Sequence, residues 1–408
     1  MSDTPHCCRI CGNSETRPVL HLGKTPLANA LLKDSQLNQP EPRYDLNLVF
    51  CPQCALVQID LTVPPEALFS DYPYFSSFSD TMVNHARQLA MSMIDRKKLD
   101  ANSLVIEPAS NDGYLLQHYK QAGVNVLGIE PATNIAKVAN EKNITTRNDF
   151  FTCELASELA SQGVKADVIH AHNVMAHVAD LNGFVQGVAT LLKSDGTFIL
   201  EAPYVRDMID HVEFDTIYHE HLCYFSLTAL KTLFENHGLY IVHVEHVPIH
   251  GGTIQVHTSL QNLPDQTVSQ MLDDEKACGM DTFDYYSAFA DKVENLKEQL
   301  ILILEKYKSQ GASIAAYGAS AKGSTLLNYT GVGKQYLDFV VDRSTHKQGQ
   351  FTPGTHLPIL PTDALLERKP DYVLLLTWNF ADEILAQQKA FCDQGGRFIV
   401  PVPTPHLA

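Results

Sequence analysis

The sequence predicts an α/β protein in which two doubly wound parallel sheets follow a small metal-binding module. Three observations carry this expectation. Two Cys-x-x-Cys pairs stand near the start, short apolar strands alternate with helices from about residue 104, and a second such alternation opens at Ser313. At 408 residues the chain has room for two or three domains. The expected units are residues 1–64, 65–262 and 263–408, the last two Rossmann-like.

Bulk composition narrows the classes. Hydrophobic residues make up 45% and charged residues 19%, an ordinary globular balance. Apolar runs such as Tyr372 to Leu376 are too short to span a bilayer, and the N-terminus lacks the basic flank and apolar stretch of a signal peptide. A cytoplasmic protein without a membrane partner is expected. The formal net charge of −17 leaves no basic face for nucleic acid. It still permits an anionic small ligand held at a helix N-terminus by a few local cations.

The first region contains a strand at Tyr44 to Phe50 and the two knuckles, Cys8-Arg-Ile-Cys11 and Cys51-Pro-Gln-Cys54. Each tight turn offers two thiolates, and together they form the closed tetrahedral set of structural zinc. A redox motif would need only one pair beside a βαβ unit. Cys7 is spare, while Cys153, Cys223, Cys278 and Cys392 are read as ordinary buried thiols.

Strands at Leu104 to Ile106, Val126 to Ile129, Val168 to Ala171 and Thr197 to Leu200 make the first sheet. Between the first of them and a helix at Tyr114 to Tyr119 lies a cofactor loop holding Glu107, Ala109, Ser110, Asn111, Asp112 and Gly113. Glu130 ends the next strand, where a carboxylate accepts from ribose hydroxyls. Asn148, Asp149 and Phe150 are placed to flank an adenine, and Asn173 closes the third strand. This order suits NAD or S-adenosylmethionine. Glu107 inside the loop favours the second, because a carboxylate meets that cofactor's cationic end and opposes a pyrophosphate.

Residues 265 to 309 read as helical, with an amphipathic run from Tyr286 to Tyr307. Strands at Ile314 to Tyr317, Leu337 to Val341, Tyr372 to Leu376 and Arg397 to Val400 then make the second sheet. Its loop Gly318-Ala-Ser-Ala-Lys-Gly-Ser-Thr325 fails the P-loop rule, since the lysine precedes the second glycine. Backbone amides near Ser320 and Gly323, with Lys322, can still bind a diphosphate. Asp342, Arg343 and Lys347 follow the next strand. The alternative is a scaffold that binds nothing.

Between these sites lies Phe214-Asp-Thr-Ile-Tyr-His-Glu-His-Leu-Cys-Tyr-Phe-Ser226, dense in groups that move protons. Five segments occur in order along the chain: the knuckles, Asp71-Tyr-Pro-Tyr-Phe-Ser-Ser77, Glu107 to Gly113, the Tyr-His-Glu-His segment and Tyr317 to Gly323. With them the chain resembles the nucleotide-sugar C-methyltransferases. That resemblance implies a zinc module, a central S-adenosylmethionine domain and a C-terminal domain holding the sugar nucleotide. It also implies methylation at C-3 of a 4-keto-deoxysugar through an enolate, with dTDP the favoured carrier and GDP the other. By the same resemblance His221 is the general base, Tyr218 contacts the C-4 oxygen, and Glu220 orients its neighbours. Tyr74 and His177 complete the set, and His250, in His250-Gly-Gly-Thr253, lies near it. An extended Tyr218 to His221 would put Tyr218 and His221 on opposite faces, so a turn or helix is required. His219 and His221 as metal ligands lack an evident third partner. Three other readings stay open: an O- or N-methyltransferase, a zinc-containing NAD-dependent oxidoreductase, and a zinc-ribbon scaffold.

Overall fold

Alternating burial along Tyr44–Phe50 builds the first sheet of the computed structural model, which describes residues 7–64, 76–78, 80–247 and 251–408. Leu46, Leu48 and Phe50 point inward and are fully buried. The sheet is antiparallel, in the order β1 (Arg17–Thr25), β2 (Tyr44–Phe50), β3 (Val57–Ile59), β9 (Cys223–Tyr224). Its last strand comes from far along the chain. Val57 pairs with Tyr224 and Gln58 with Cys223, so the residues just after the Tyr-His-Glu-His segment complete the metal module's sheet.

The second sheet has seven strands in the order β10-β11-β8-β7-β4-β5-β6. Five run parallel: β4 (Leu104–Pro108), β5 (Asn125–Ile129), β6 (Thr146–Arg147), β7 (Ala166–His172) and β8 (Leu192–Pro203). β10 (Tyr240–Val247) and β11 (Thr253–Ser259) add an antiparallel edge. The order reverses between β4 and β7, which opens a ligand crevice at their C-terminal ends. The predicted helix at Tyr114 to Tyr119 runs instead from Leu116 to Gln121, because residues 111–115 are spent on turns.

The third sheet orders β14 (Ile359–Leu360), β13 (Val340–Val341), β12 (Ile314–Tyr317), β15 (Tyr372–Leu375), β16 (Arg397–Val400) and β17 (His406–Leu407), the last antiparallel. The strand expected from Leu337 starts only at Val340, since the Leu337 amide closes a turn on the Gly333 carbonyl. Before this sheet runs the helix Phe289–Ser309, which buries Phe289, Val293, Leu296, Leu300, Leu304 and Tyr307 along one stripe. Among the described residues no helix is long and apolar enough to cross a membrane. Of the four cysteines read as buried thiols, Cys223 is buried, Cys153 and Cys392 are half-buried, and Cys278 is exposed. Cys278 caps the helix Gln266–Ala277 at its solvent end.

A chain of buried polar groups ties the second sheet to the helix Asp80–Lys97. Glu201, at the end of β8, meets His172 Nδ1 and His85 Nε2, each at 2.7 Å, and accepts from Gln255 at 2.6 Å. His172 Nε2 faces His170 Nδ1 at 2.9 Å, and His170 Nε2 faces the Tyr119 hydroxyl at 2.7 Å. One tautomer pattern satisfies all of them: His170 and His172 donate from Nδ1 and accept at Nε2, while His85 donates to Glu201 from Nε2. The hydrogen bond from His85 to Glu201 raises the histidine's pKa above its ordinary 6.5. Its stabilisation is therefore complete below that value and is lost as pH climbs through the raised one. In His85→Gln the melting temperature should no longer fall across that window. Parallel curves for parent and variant would show that the pair is not ionic.

Candidate active site

The four knuckle sulfurs converge. Cys8 Sγ lies 3.3 Å from Cys54 Sγ and Cys11 Sγ 3.5 Å from Cys51 Sγ, and all four lie within 4.8 Å of one another. That is the sulfur spacing of a tetrahedral zinc site with zinc–sulfur bonds of about 2.3 Å. Cys54 draws the Cys8 thiol down to about 5 and is itself pushed up by Cys8, as expected of neighbours sharing a proton that a metal would displace.

At the crevice of the second sheet the loop after β4 takes left-handed backbone at Ala109, Asn111 and Gly113. Glu130 holds it: its two carboxylate oxygens accept from the Asn111 and Ala132 amides, at 2.9 and 2.8 Å. Asn111 Oδ1 accepts from the Ser76 and Asp112 amides, both at 2.9 Å. Asp112 accepts from Ser77 and pairs with Lys142 at 2.8 Å. Asn148 braces the end of β5 by donating to the Glu130 and Pro131 carbonyls, Asp149 pairs with Arg147 at 3.2 Å, and Asn173 donates its amide to the Glu201 carbonyl. Glu107 is fully buried, and its Oε2 has no partner among the described residues. Burial, then Glu130, Asp112 and Glu201, push its carboxyl well above the usual range. Such a gathering of carboxylates, with Glu107 Oε2 and Asp112 Oδ1 both without a partner among the described residues, fits the cationic end of S-adenosylmethionine.

The Tyr-His-Glu-His segment is a turn. The His221 amide donates to the Tyr218 carbonyl at 2.8 Å, which brings both side chains to one side. The Tyr218 hydroxyl then reaches His221 Nε2 at 2.8 Å, with ring centroids 4.1 Å apart. His221 Nδ1 lies 3.0 Å from the Thr216 carbonyl, which can only accept, so Nδ1 carries the proton and Nε2 is the lone pair. Burial, then His177 and Lys322, hold His221 well below its ordinary pKa. His177 packs edge-on at 4.8 Å and is itself brought to about 4 by burial. Glu220 points to the metal module, where Asn29 donates to it at 2.7 Å, and burial raises its carboxyl to about 7. His219 also turns that way, 3.2 Å from the Asp45 carbonyl, so it forms no metal site with His221. Tyr74 and His250 lie outside the described residues. The glycines after His250 do close on acids, since a Cβ on Gly251 would stand 2.6 Å from Glu213 Oε2.

In the third sheet, Ser320 caps the helix Ala321–Thr330 by accepting from the Gly323 amide at 3.0 Å. A Cβ on Gly323 would stand 2.8 Å from that of Leu376, so this glycine serves helix–sheet packing. Asp342 accepts from the Ala319 and Ser344 amides, both at 2.8 Å, and Lys347 donates to the Ala319 carbonyl at 2.8 Å. Arg343 turns outward toward Gln387 and Glu383. Lys322 leans over the Trp378 ring, 4.8 Å from its centroid. Ser76, Ser77, Asp215 and Thr325, which lie in segments the sequence singles out without giving them a role, also touch the site or its supports, as do Asn29 and Trp378, which local sequence pattern does not mark.

Three family models match the chain in succession: a zinc binding domain over residues 8–69, a methyltransferase domain over 83–244, and a C-methyltransferase C-terminal domain over 248–403. The C-methyltransferase NovU of Streptomyces niveus is 37% identical over 403 residues, 98% of this chain and 96% of that protein. The chain belongs to the C-methyltransferase family. This C-methyltransferase depends on S-adenosylmethionine and carries a four-cysteine zinc site. It is also 30% identical over 102 residues to the ubiquinone biosynthesis O-methyltransferase of Bartonella quintana, 24% of this chain and 40% of that one. Magnesium protoporphyrin IX methyltransferase from Synechocystis PCC 6803, solved with bound SAH, is similar at 15% identity and a TM-score of 0.35, over 43% of this chain and 82% of that one.

Proposed function

We propose that the enzyme methylates C-3 of a nucleotide-linked 4-keto-deoxysugar through an enolate. The observation that carries this reading is the Tyr218–His221 pair, a phenol set against the unprotonated Nε2 of a neutral, backbone-anchored imidazole. Carbon beside a ketone needs both a base and a donor to the enolate oxygen, whereas an oxygen or nitrogen nucleophile needs at most the base. His221 Nε2 takes the C-3 proton, and the bonding electrons pass to C-4, whose oxygen becomes an oxyanion that Tyr218 stabilises by donating to it. The depressed pKa keeps Nε2 free at neutral pH, and the enolate formed beside it offsets the charge the ring gains. Bound S-adenosylmethionine supplies an electrophilic methyl, and no catalytic metal is needed.

Glu107 would meet the cofactor's ammonium and sulfonium end and Glu130 its ribose, with Ala109, Asn111, Asp112, Gly113, Asn148, Asp149 and Asn173 lining the rest. Ser320, Lys322, Gly323, Asp342, Arg343, Lys347 and His250 are assigned to the sugar nucleotide, with dTDP favoured. Residues 1–64, 65–262 and 263–408 are the corresponding units, and the enzyme is assigned to the cytoplasm.

The test is a panel of nucleotide-linked 4-keto sugars with labelled S-adenosylmethionine, the products located by mass spectrometry and NMR. A methyl on C-3 is expected; a methyl on a sugar oxygen would end the enolate reading. With S-adenosylhomocysteine in deuterated water, Tyr218→Phe should slow C-3 deuterium uptake by about a hundredfold, the usual loss for one oxyanion donor.

A further inference from the structure

Trp378 is the chain's single tryptophan, and the proposed chemistry has no use for it. It sits on the 3-10 turn Trp378–Phe380, just past β15. Its indole Nε1 donates to Asp215 Oδ2 at 2.7 Å, across the junction between the second and third sheets. Asp215 is fully buried, and its Oδ1 has no partner among the described residues, so the indole is the one side chain that donates to it there. Burial raises the Asp215 carboxyl, while Lys322 and the indole oppose the rise.

Asp215 occupies the turn Phe214–Thr216, whose last carbonyl receives the His221 Nδ1 proton. The third sheet holds the same segment twice more. Thr325 Oγ1 donates to the Ile217 carbonyl at 3.1 Å, and the Phe214 ring meets Tyr329 edge-on at 5.2 Å. The residues immediately before the base are thus gripped by elements of another sheet, and the indole bond is the grip that reaches a buried charge. Without it a desolvated carboxylate would lose its one side-chain donor and keep only the Asp215 and Thr216 backbone amides, and the turn would shift to hydrate or protonate it.

We propose that Trp378 is a positioning residue. Its N–H fixes Asp215, and through Thr216 it keeps His221 upright in the Nδ1–H tautomer. The proposal rests on the reading of His221 as the base.

The test uses the full-length zinc protein with S-adenosylmethionine, dTDP-4-keto-6-deoxyglucose as the probe sugar, and histidine labelled with nitrogen-15. The NMR signal of the His221 Nδ1 proton, identified by its absence in His221→Asn, reports the tautomer without any turnover. Trp378→Phe keeps a ring beneath Lys322 and removes only the donor. It should lower kcat roughly ten- to a hundredfold, the scale set by ångström misplacement of a catalytic group. Cofactor affinity should hold, while the Nδ1 signal is lost to solvent exchange. Parental kcat with an intact signal in Trp378→Phe would overturn the proposal. If His221→Asn turns over normally, the base assignment fails by itself, and the Nδ1 signal in Trp378→Phe still decides whether the indole positions the turn.

Discussion

His221→Asn should cut methyl transfer to carbon by about 10²–10⁴-fold, the range a positioned general base contributes. Asparagine fills much of the same space and still offers an N–H to the Thr216 carbonyl, so both ligands should bind as before. What disappears is the Nε2 lone pair facing Tyr218. The pH profile gives an independent reading of the same group. An ordinary histidine would impose an acid limb on kcat/KM near 6.5. His221 is held well below that, chiefly by burial, so His221 itself should contribute no limb at 6.5. Glu220, raised to about 7, is the group expected to leave an inflection there, and Glu220→Gln should remove it. A variant that methylates C-3 at the parental rate would transfer the role of base to His177, Glu220 or Tyr74.

Stripping the zinc should be as damaging, and by a different route. Structural zinc contributes on the order of 10–16 kcal/mol to the folding of small zinc modules. Here the folded module supports more than itself. β3 follows directly on the second knuckle and pairs with β9; the Ile59 amide donates to the Leu222 carbonyl; Asn29 holds Glu220; and Asp45 meets His219. Cys51→Ser, or chelation, should therefore abolish turnover and lower the melting temperature while S-adenosylmethionine still binds its own sheet. About one zinc per chain should be lost with the activity, following the four-ligand rule. A metal-free preparation with parental stability and rate would exclude this role.

What could be read from the sequence was what local pattern encodes. The four cysteines declare themselves by spacing, and β2 spans the residues its alternation marks. The paired α/β rhythms give two of the three sheets because strand and helix periods differ. The resemblance places Tyr218 and His221 in one site and so requires a turn or helix between them, but local pattern does not dictate that turn, which hangs on one backbone hydrogen bond. β9 is two residues long, too short for any periodicity. Trp378 and Asp215 are joined only by tertiary packing between sheets; Asp215 lies in the Phe214 to Ser226 segment, but nothing in that segment points to Trp378. Ser320, Asp342 and Lys347 do gather around Ala319, but Arg343 faces outward, a direction that residue order does not specify.

The long reach of β9 also bears on how the polypeptide matures. β3 exposes a row of unpaired backbone groups until residues 223 and 224 arrive, so the N-terminal segment must wait for more than half the chain to be synthesised. Such a non-local pairing slows folding, because loop closure is entropically costly before its contacts form. A nascent chain halted before Cys223 would present an open β-edge, prone to aggregation and suited to chaperone capture. Release of residues 223–224 would then couple completion of the zinc module to completion of the catalytic turn in one late, cooperative step.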